Sequence, residues 1–386
     1  MTNDPTDKKE RFHFLDGLRG VAASMIVVHH AFTAHIVHFF ERIHLPFLGT
    51  FFMYFTQSGV ELFFVLSGVV LLRPYLRGQR EFKTGDYFYR RLKRIYPPYF
   101  FALVFAAFVV WFNNQYPTWY NLKGLRVKFS WPETFKELFI FSFDGTYYNL
   151  AWWSLQIEIL FYLLAPLVIF VFPRTRRLSM PKVVLGIIST LVITYLLQML
   201  STEYCYRFYS YTYQLAAFGK CIEYPLCFLL GIYLAARDFN LRQAFWFMGS
   251  GLLLVLAGLL LMHDVAANPN SWVYLSVLNG GYGLFYAGLI TLAFNSASFK
   301  TLLGRPIMIW LGERSYSLFL IHFSVFYLVD NIVSHFLSDR NAYYALLTRG
   351  VGIPAALFAA MLLFYFVEKK QARGLMTGKA FWPWQV

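Results

Sequence analysis

Residues 15–37 read LDGLRGVAASMIVVHHAFTAHIV. A helix crossing the hydrocarbon core of a bilayer needs about 20 mostly apolar residues, and this run is long enough. It nevertheless carries Asp16, Arg19, His29, His30 and His35. Each ionisable group at membrane depth costs at least ~2.5–3.5 kcal/mol on insertion scales, so such groups face protein or a polar cavity and not lipid. The run has no small-residue cleavage site and is interrupted by charge, so it reads as a retained spanning helix and not as a signal peptide.

The rest of the chain repeats the pattern. Of its 386 residues 58% are hydrophobic, 21% aromatic and only 14% Asp, Glu, Lys or Arg. A soluble domain carries roughly 25% charged residues, so a soluble single core is excluded, and so is a disordered chain. Apolar stretches of spanning length fall at about 15–37, 51–72, 96–112, 150–172, 183–200, 215–236, 244–262, 272–294, 307–330 and 346–367. The expected fold is therefore an all-α polytopic membrane bundle of about ten transmembrane helices. Lys and Arg orient it: with the N-terminus inside, 23 of the 34 lie in inner segments and 7 in outer ones. Both termini are then cytoplasmic. Residues 1–14 form an inner tail, 15–367 the membrane domain with a basic cytoplasmic loop at 73–95, and 368–386 a second inner tail. Cys205, Cys221 and Cys227 form no even framework and no metal-type spacing.

On the first helix, Arg19 and His30 are eleven residues apart, about 1100° of rotation and so within about 20° of three full turns. They share one face and are separated by roughly 16 Å along the axis. Arg19 lies near the cytoplasmic surface and His30 lies deep; His29 points about 100° away. A lone intramembrane His can simply hydrogen-bond a neighbouring helix, but an Arg on the same face at a cavity mouth favours function. On the fourth span, Trp152-Trp153-Ser154-Leu155-Gln156-Ile157-Glu158 sets Ser154 and Glu158 four apart, on one side. Counted inward from outside, Glu158 reaches about the depth of His30, where a carboxylate orients an imidazole or raises its basicity; a protonated Glu linking two helices fits equally. Glu61 and His322 fall at similar depth. Lys220 and Glu223, three apart, read as a simple helix-face pair. Glu313 and Arg314 lie near the inner end of their span, within snorkelling reach.

The basic loop ends Tyr89-Arg90-Arg91-Leu92-Lys93-Arg94-Ile95-Tyr96-Pro97-Pro98. Such a loop anchors the positive side of a membrane protein by default. Arg91 and Arg94, if helical, also present two guanidinium forks on one side, which suits a polyphosphate ligand. Outside, Trp111, Tyr116, Trp119, Tyr120 and Trp131 read as an interfacial aromatic belt. No P-loop, Gly-x-Ser-x-Gly elbow, Asp-x-Asp clamp or His-x-x-x-x-Asp motif occurs.

Taken in order, five segments resemble the acyltransferase 3 family of integral membrane O-acyltransferases. They are Arg11-Phe-His-Phe-Leu-Asp-Gly-Leu-Arg-Gly20 with His30, Gly59-Val-Glu-Leu-Phe-Phe-Val-Leu-Ser-Gly68, Arg91-x-x-Arg94 before Tyr96-Pro97, Trp153-Ser-Leu-Gln-Ile-Glu158, and Gly312-Glu-Arg-Ser-Tyr-Ser-Leu-Phe-Leu-Ile-His322. The resemblance implies transfer of an acyl group, usually acetyl, from a cytoplasmic coenzyme A thioester to a hydroxyl of an extracytoplasmic or lipid-linked glycan. It places the protein in the bacterial inner membrane, with membrane lipids, acyl-CoA and a glycan as partners, no nucleic acid and no metal. It also implies His30 and Arg19 as the essential pair, and Arg91 and Arg94 on the acyl donor alongside Arg19. Trp153, Ser154 and Glu158 match the fourth-helix motif. The resulting expectation makes His30 the general base or an acyl relay, Glu158 its tuning carboxylate and Ser154 an oxyanion donor, with Trp153, Glu61 and His322 as substrate contacts. Many relatives carry a fused hydrolase-like domain; here only a short tail follows Val367, so the membrane unit is expected to act alone or with a separate partner. The competing expectation is a non-catalytic transporter or flippase of an anionic or acylated substrate, which a repeated pair of broken helices would support.

Overall fold

The computed structural model describes residues 12–116, 127–139, 148–171, 181–190, 224–262, 271–337 and 342–369, with single positions between 179 and 196. Lys220, Glu223, Cys205, Cys221, Trp119 and Tyr120 lie outside the described residues. Every regular element among those described is helical. In chain order these are α1 (His13–Arg42), α2 (Pro46–Gln57), α3 (Gly59–Leu76), α4 (Thr84–Gln115) and α5 (Trp131–Leu138). A single 3-10 turn (Leu150–Trp152) leads into α6 (Trp153–Val171). There follow α7 (Pro181–Thr190), α8 (Pro225–Ala236), α9 (Leu241–Met262) and α10 (Ser271–Asn295). Next come α11 (Ala297–Leu303), α12 (Pro306–Glu313), α13 (Ser315–Phe336) and α14 (Ala342–Leu363), closed by a π-helical turn (Phe364–Glu368).

Eight of these stretches are long and apolar enough to cross a membrane, and each matches one of the ten expected spans. The other two expected spans correspond to α7 and α8, short apolar helices that abut residues outside the description. The bundle is inverted relative to a soluble protein. Phe101, Phe108, Leu167, Leu253, Phe358 and Phe170, the last 86% exposed, stand on its outer surface. Apolar surface on this scale is stable only against lipid.

Two elements depart from expectation. The basic stretch expected as the end of a cytoplasmic loop is the first third of α4, which starts at Thr84 and runs unbroken through Pro97 and Pro98. The connecting loop shrinks to 77–83, and Arg91 turns inward, buried against the bundle. Tandem proline reads as a boundary in soluble chains, but a membrane helix carries through it when neighbouring groups satisfy the freed carbonyls. Tyr316 ties the same turn to α13, its hydroxyl donating to the Ile95 carbonyl at 3.1 Å. The second departure is the ninth span, which breaks at Arg314 into α12 and α13. At the break the Arg314 guanidinium donates to the Trp310 carbonyl at 2.9 Å and lies over the Trp310 and Phe364 rings. The charge is thus met locally at the break.

Close helix crossings fix the frame. A Cβ on Gly312 would stand 1.8 Å from the Asp16 carbonyl oxygen, so α12 lies directly on the backbone of α1. Likewise Gly231 of α8 would strike the Val65 carbonyl of α3 at 2.5 Å. Small residues at such points let membrane helices approach to backbone contact. The first crossing sits one turn below Arg19 and so sets where that side chain emerges.

Candidate active site

Polar side chains gather inside the bundle at two levels along α1. The deeper level is built from imidazoles. His29 Nδ1 lies 3.2 Å from the Met53 carbonyl and 3.2 Å from the hydroxyls of Thr33 and Thr56. A carbonyl only accepts, so the proton sits on Nδ1 and His29 is tied to α2. His30 is left differently placed. The described residues give its imidazole no hydrogen bond, and its ring faces that of His322 at 5.3 Å and the Phe323 ring at 5.5 Å. His322 is fully buried, and its Nδ1 donates to the Leu318 carbonyl at 2.9 Å. That bond leaves Nε2 as the lone-pair nitrogen, and no described residue supplies it a partner. Of the tandem pair, His30 is therefore the imidazole that no described hydrogen bond engages. These histidines do not converge as a metal set; among the described residues no three His, Cys, Asp or Glu do.

The shallower level centres on Arg19. Asp16, Glu158, Tyr162 and Glu368 lie within electrostatic reach of its guanidinium. Arg94 faces Glu158, Tyr162 and Glu368 from α4, and Tyr316 joins the same group from α13. Tyr162 donates its hydroxyl to the Glu158 carboxylate, and Tyr87 donates to the Tyr162 carbonyl at 3.1 Å. Arg91 stacks over the rings of Tyr87 and Tyr162, at 5.6 and 5.3 Å. Among the described residues the cluster therefore holds three guanidinium groups and three carboxyl groups, drawn from α1, α4, α6 and the final π turn. A narrow cleft of about 20 Å³, lined by Phe12, Asp16, Arg19 and Arg73 among others, lies beside Arg19 at the start of α1.

The structure thus brings Arg19, Arg91, Arg94 and Glu158 together, and His30 with His322, but it separates Glu158 from His30. The reason lies at the start of the fourth span. Asn149 Nδ2 and Trp152 Nε1 both donate to the Leu320 carbonyl, at 3.1 and 3.0 Å, two residues from His322. The helix therefore begins already at the depth of the histidines. Six residues past Trp152, roughly 9 Å further along at 1.5 Å per residue, Glu158 has reached Arg19. Ser154 is buried near the upper end of this helix, and Trp153 packs on Tyr224 with ring centroids 5.5 Å apart. Glu61 belongs to neither level. It is buried beside Cys227, Tyr282 and Tyr286, and the Tyr286 hydroxyl meets Ser58 at 2.5 Å.

Tyr162, Tyr316 and Glu368 were not found by reading the sequence. Tyr162 follows Glu158 by four residues, the spacing that already pairs Ser154 with Glu158, and so was within reach. Glu368 sits at the edge of the expected C-terminal tail, where a charge needs no explanation; only the π turn carries it back inside.

Comparison with known proteins bears on this arrangement. The family model described as an acyltransferase domain, acyltransferase 3, matches residues 12–368, nearly all of the described bundle. The chain belongs to the acyltransferase 3 family. It is 27% identical over 341 residues to the O-acetyltransferase OatA of Staphylococcus aureus, a match covering 82% of this chain and 51% of that protein. Protein 2 in the picA locus of Rhizobium radiobacter is 38% identical over 100 residues, 25% of this chain and 45% of the relative. The chain spans about half the length of the curated relatives it matches. No solved structure matches it. Family and apolar helices together make this acyltransferase a multi-pass protein of the bacterial plasma membrane.

Proposed function

We propose that this acyltransferase moves an acyl group, most simply acetyl, from an acyl-CoA at the cytoplasmic face to a hydroxyl of an extracytoplasmic or lipid-linked glycan. One observation carries the reading: a single helix, α1, holds an arginine beside a cleft and, roughly 16 Å deeper on the same face, an imidazole left without a hydrogen bond by the described residues. The Lys and Arg distribution supports an inside N-terminus and C-terminus, which makes the Arg19 cleft the donor side. The O-acetyltransferase OatA, a relative over half its length, supports acetyl as the group and oxygen as the acceptor atom.

The donor enters past Arg19, and its thioester reaches the level of His30. His30 takes the proton from the acceptor hydroxyl as that oxygen attacks the thioester carbonyl carbon. Collapse of the tetrahedral intermediate breaks the carbon–sulfur bond, and the proton passes from His30 to the departing thiolate. His322, its proton fixed on Nδ1, offers Nε2 as an acceptor that orients His30 or the incoming hydroxyl. Ser154 stands as the oxyanion donor, with Trp153 and Glu61 as outlying substrate contacts. Glu158, with Arg94 and Tyr162, holds Arg19 in place, a different part from the tuning of His30 expected from sequence. Arg91 and Arg94 act on the donor through this cluster.

The experiment is reconstitution of the purified protein in liposomes with labelled acetyl-CoA and a soluble oligosaccharide acceptor. Label recovered as ester on the sugar supports the reading. Label that crosses the bilayer still joined to coenzyme A, with no ester formed, would instead make the protein a transporter.

A further inference from the structure

The Arg19 cleft shares a wall, Arg73, with a second and wider cleft on the same face, of about 230 Å³, between the ends of α3, α8 and α10. That volume is below the range of whole drug-sized ligand sites, so the cleft would hold one part of a larger ligand. Its charge balance differs from that of the Arg19 cluster. Among the described residues three guanidinium groups, Arg73, Arg77 and Arg237, stand at this site with one carboxylate, Asp238, which Arg73 and Arg77 contact. Arg77 takes both Asp238 oxygens, at 2.8 and 2.9 Å, whereas Arg73 reaches the same carboxylate only at 3.4 Å. Arg73 also has a buried Nε that no described residue satisfies. Its guanidinium lies over the Phe294 ring at 4.8 Å and the Phe12 ring at 5.7 Å, while Arg237 lies over Phe239 at 5.4 Å. The site thus pairs an excess of fixed positive charge with aromatic faces, the chemistry that recognises a purine nucleotide phosphate. By contrast Arg91 and Arg94 belong to a cluster whose three guanidinium groups are matched by three carboxyl groups.

We infer that the cleft bounded by Arg73, Arg237 and Phe294 binds the phosphoadenosine end of the acyl donor, with the donor's thiol arm leading past Arg73 to Arg19. This rests on the acyl-CoA reading above and adds to it the site of the 3′-phosphate. Asp238 then acts as a counter-charge that limits donor affinity.

The test is equilibrium binding of coenzyme A and of 3′-dephospho-coenzyme A to the full chain in phosphatidylcholine nanodiscs, by calorimetry. The wild type should prefer coenzyme A by about tenfold, the order of one charge-assisted contact to phosphate. Arg237→Glu and Arg237→Gln should erase that preference, and Asp238→Asn should tighten coenzyme A binding; thermal melts confirm that each variant is folded. A wild type that binds both ligands equally, or an Arg237→Glu variant that keeps the preference, overturns the inference and leaves the acyl-CoA reading standing. No binding of either ligand overturns both. The same phosphate chemistry occurs on anionic lipid. If Arg237→Glu changes retention of phosphatidylglycerol in mixed nanodiscs while coenzyme A binding is unaltered, the cleft is a headgroup site and the inference is wrong.

Discussion

His30 and His29 are adjacent in sequence and opposite in circumstance. One is tied to α2 through the Met53 carbonyl, and the other faces a buried imidazole whose Nε2 has no partner among the described residues. If His322 orients His30 or the acceptor, His322→Ala lowers kcat about 100-fold with the donor KM little changed; steady-state kinetics in nanodiscs read this, and an unchanged kcat reduces His322 to packing. Glu158→Gln makes a different prediction. It leaves Arg19 and Arg94 short of a carboxylate inside the bundle, and breaking such a set by removing one partner costs about 3–5 kcal/mol. A clear loss of thermal stability is expected, and a variant that melts with the wild type would remove Glu158 from the cluster. At this scale the sequence disclosed the Arg19–His30 face, because helical rotation alone fixes it. It did not disclose the partner of Glu158, because depth counted from a presumed outer surface fails when the helix starts below that surface, pinned to the Leu320 carbonyl.

Among the elements, the crossing of α12 on α1 is the most demanding. Gly312 meets the Asp16 backbone so closely that a methyl group has no room. Gly312→Ala must push the helices apart, at a cost of about 1–3 kcal/mol or more for overpacking, and it shifts Arg19 one turn away. Transfer activity should fall further than the melting temperature alone explains, whereas a variant with full activity would show that the crossing does not position Arg19. Hydropathy marked a single span here; the break at Arg314 escaped it because averaging over 20 residues hides one charge satisfied by a carbonyl and two rings. The same blindness, in reverse, made the amphipathic start of α4 look like loop, since a helix rich in Arg and Lys registers only as polar.

Across the whole molecule 23 of the 34 Lys and Arg lie in the segments expected to face inward. A structural share lies in the clasp of Arg77 and Arg73 on Asp238, which joins the end of α3 to the end of α8. Burial alone raises the Asp238 carboxyl, but the Arg77 hydrogen bond and charge, with Arg73, outweigh it and hold the group below the usual carboxylate range. A depressed folded value means the clasp stabilises the protein above the unfolded carboxylate pKa of about 3.9 and is lost as pH falls below it. Melting temperatures of wild type and Asp238→Asn should differ from pH 7 to pH 5 and converge near pH 3. The difference will be small, since the Asp238 side chain is 71% exposed; a gap that widens on acidification would contradict the assignment. The membrane class and most spans were legible because lipid imposes one rule on every residue of a helix. The grouping of the polar residues was not, because it depends on which helices meet.

The central claim is that α1 delivers an acyl donor past Arg19 to a catalytic His30. Ester formation from labelled acetyl-CoA by reconstituted His30→Ala tests it most directly, with folding and coenzyme A binding measured on the same sample. Loss of transfer by about 10²–10⁴-fold, with binding and melting temperature preserved, is the predicted result. Transfer at the wild-type rate would contradict the account.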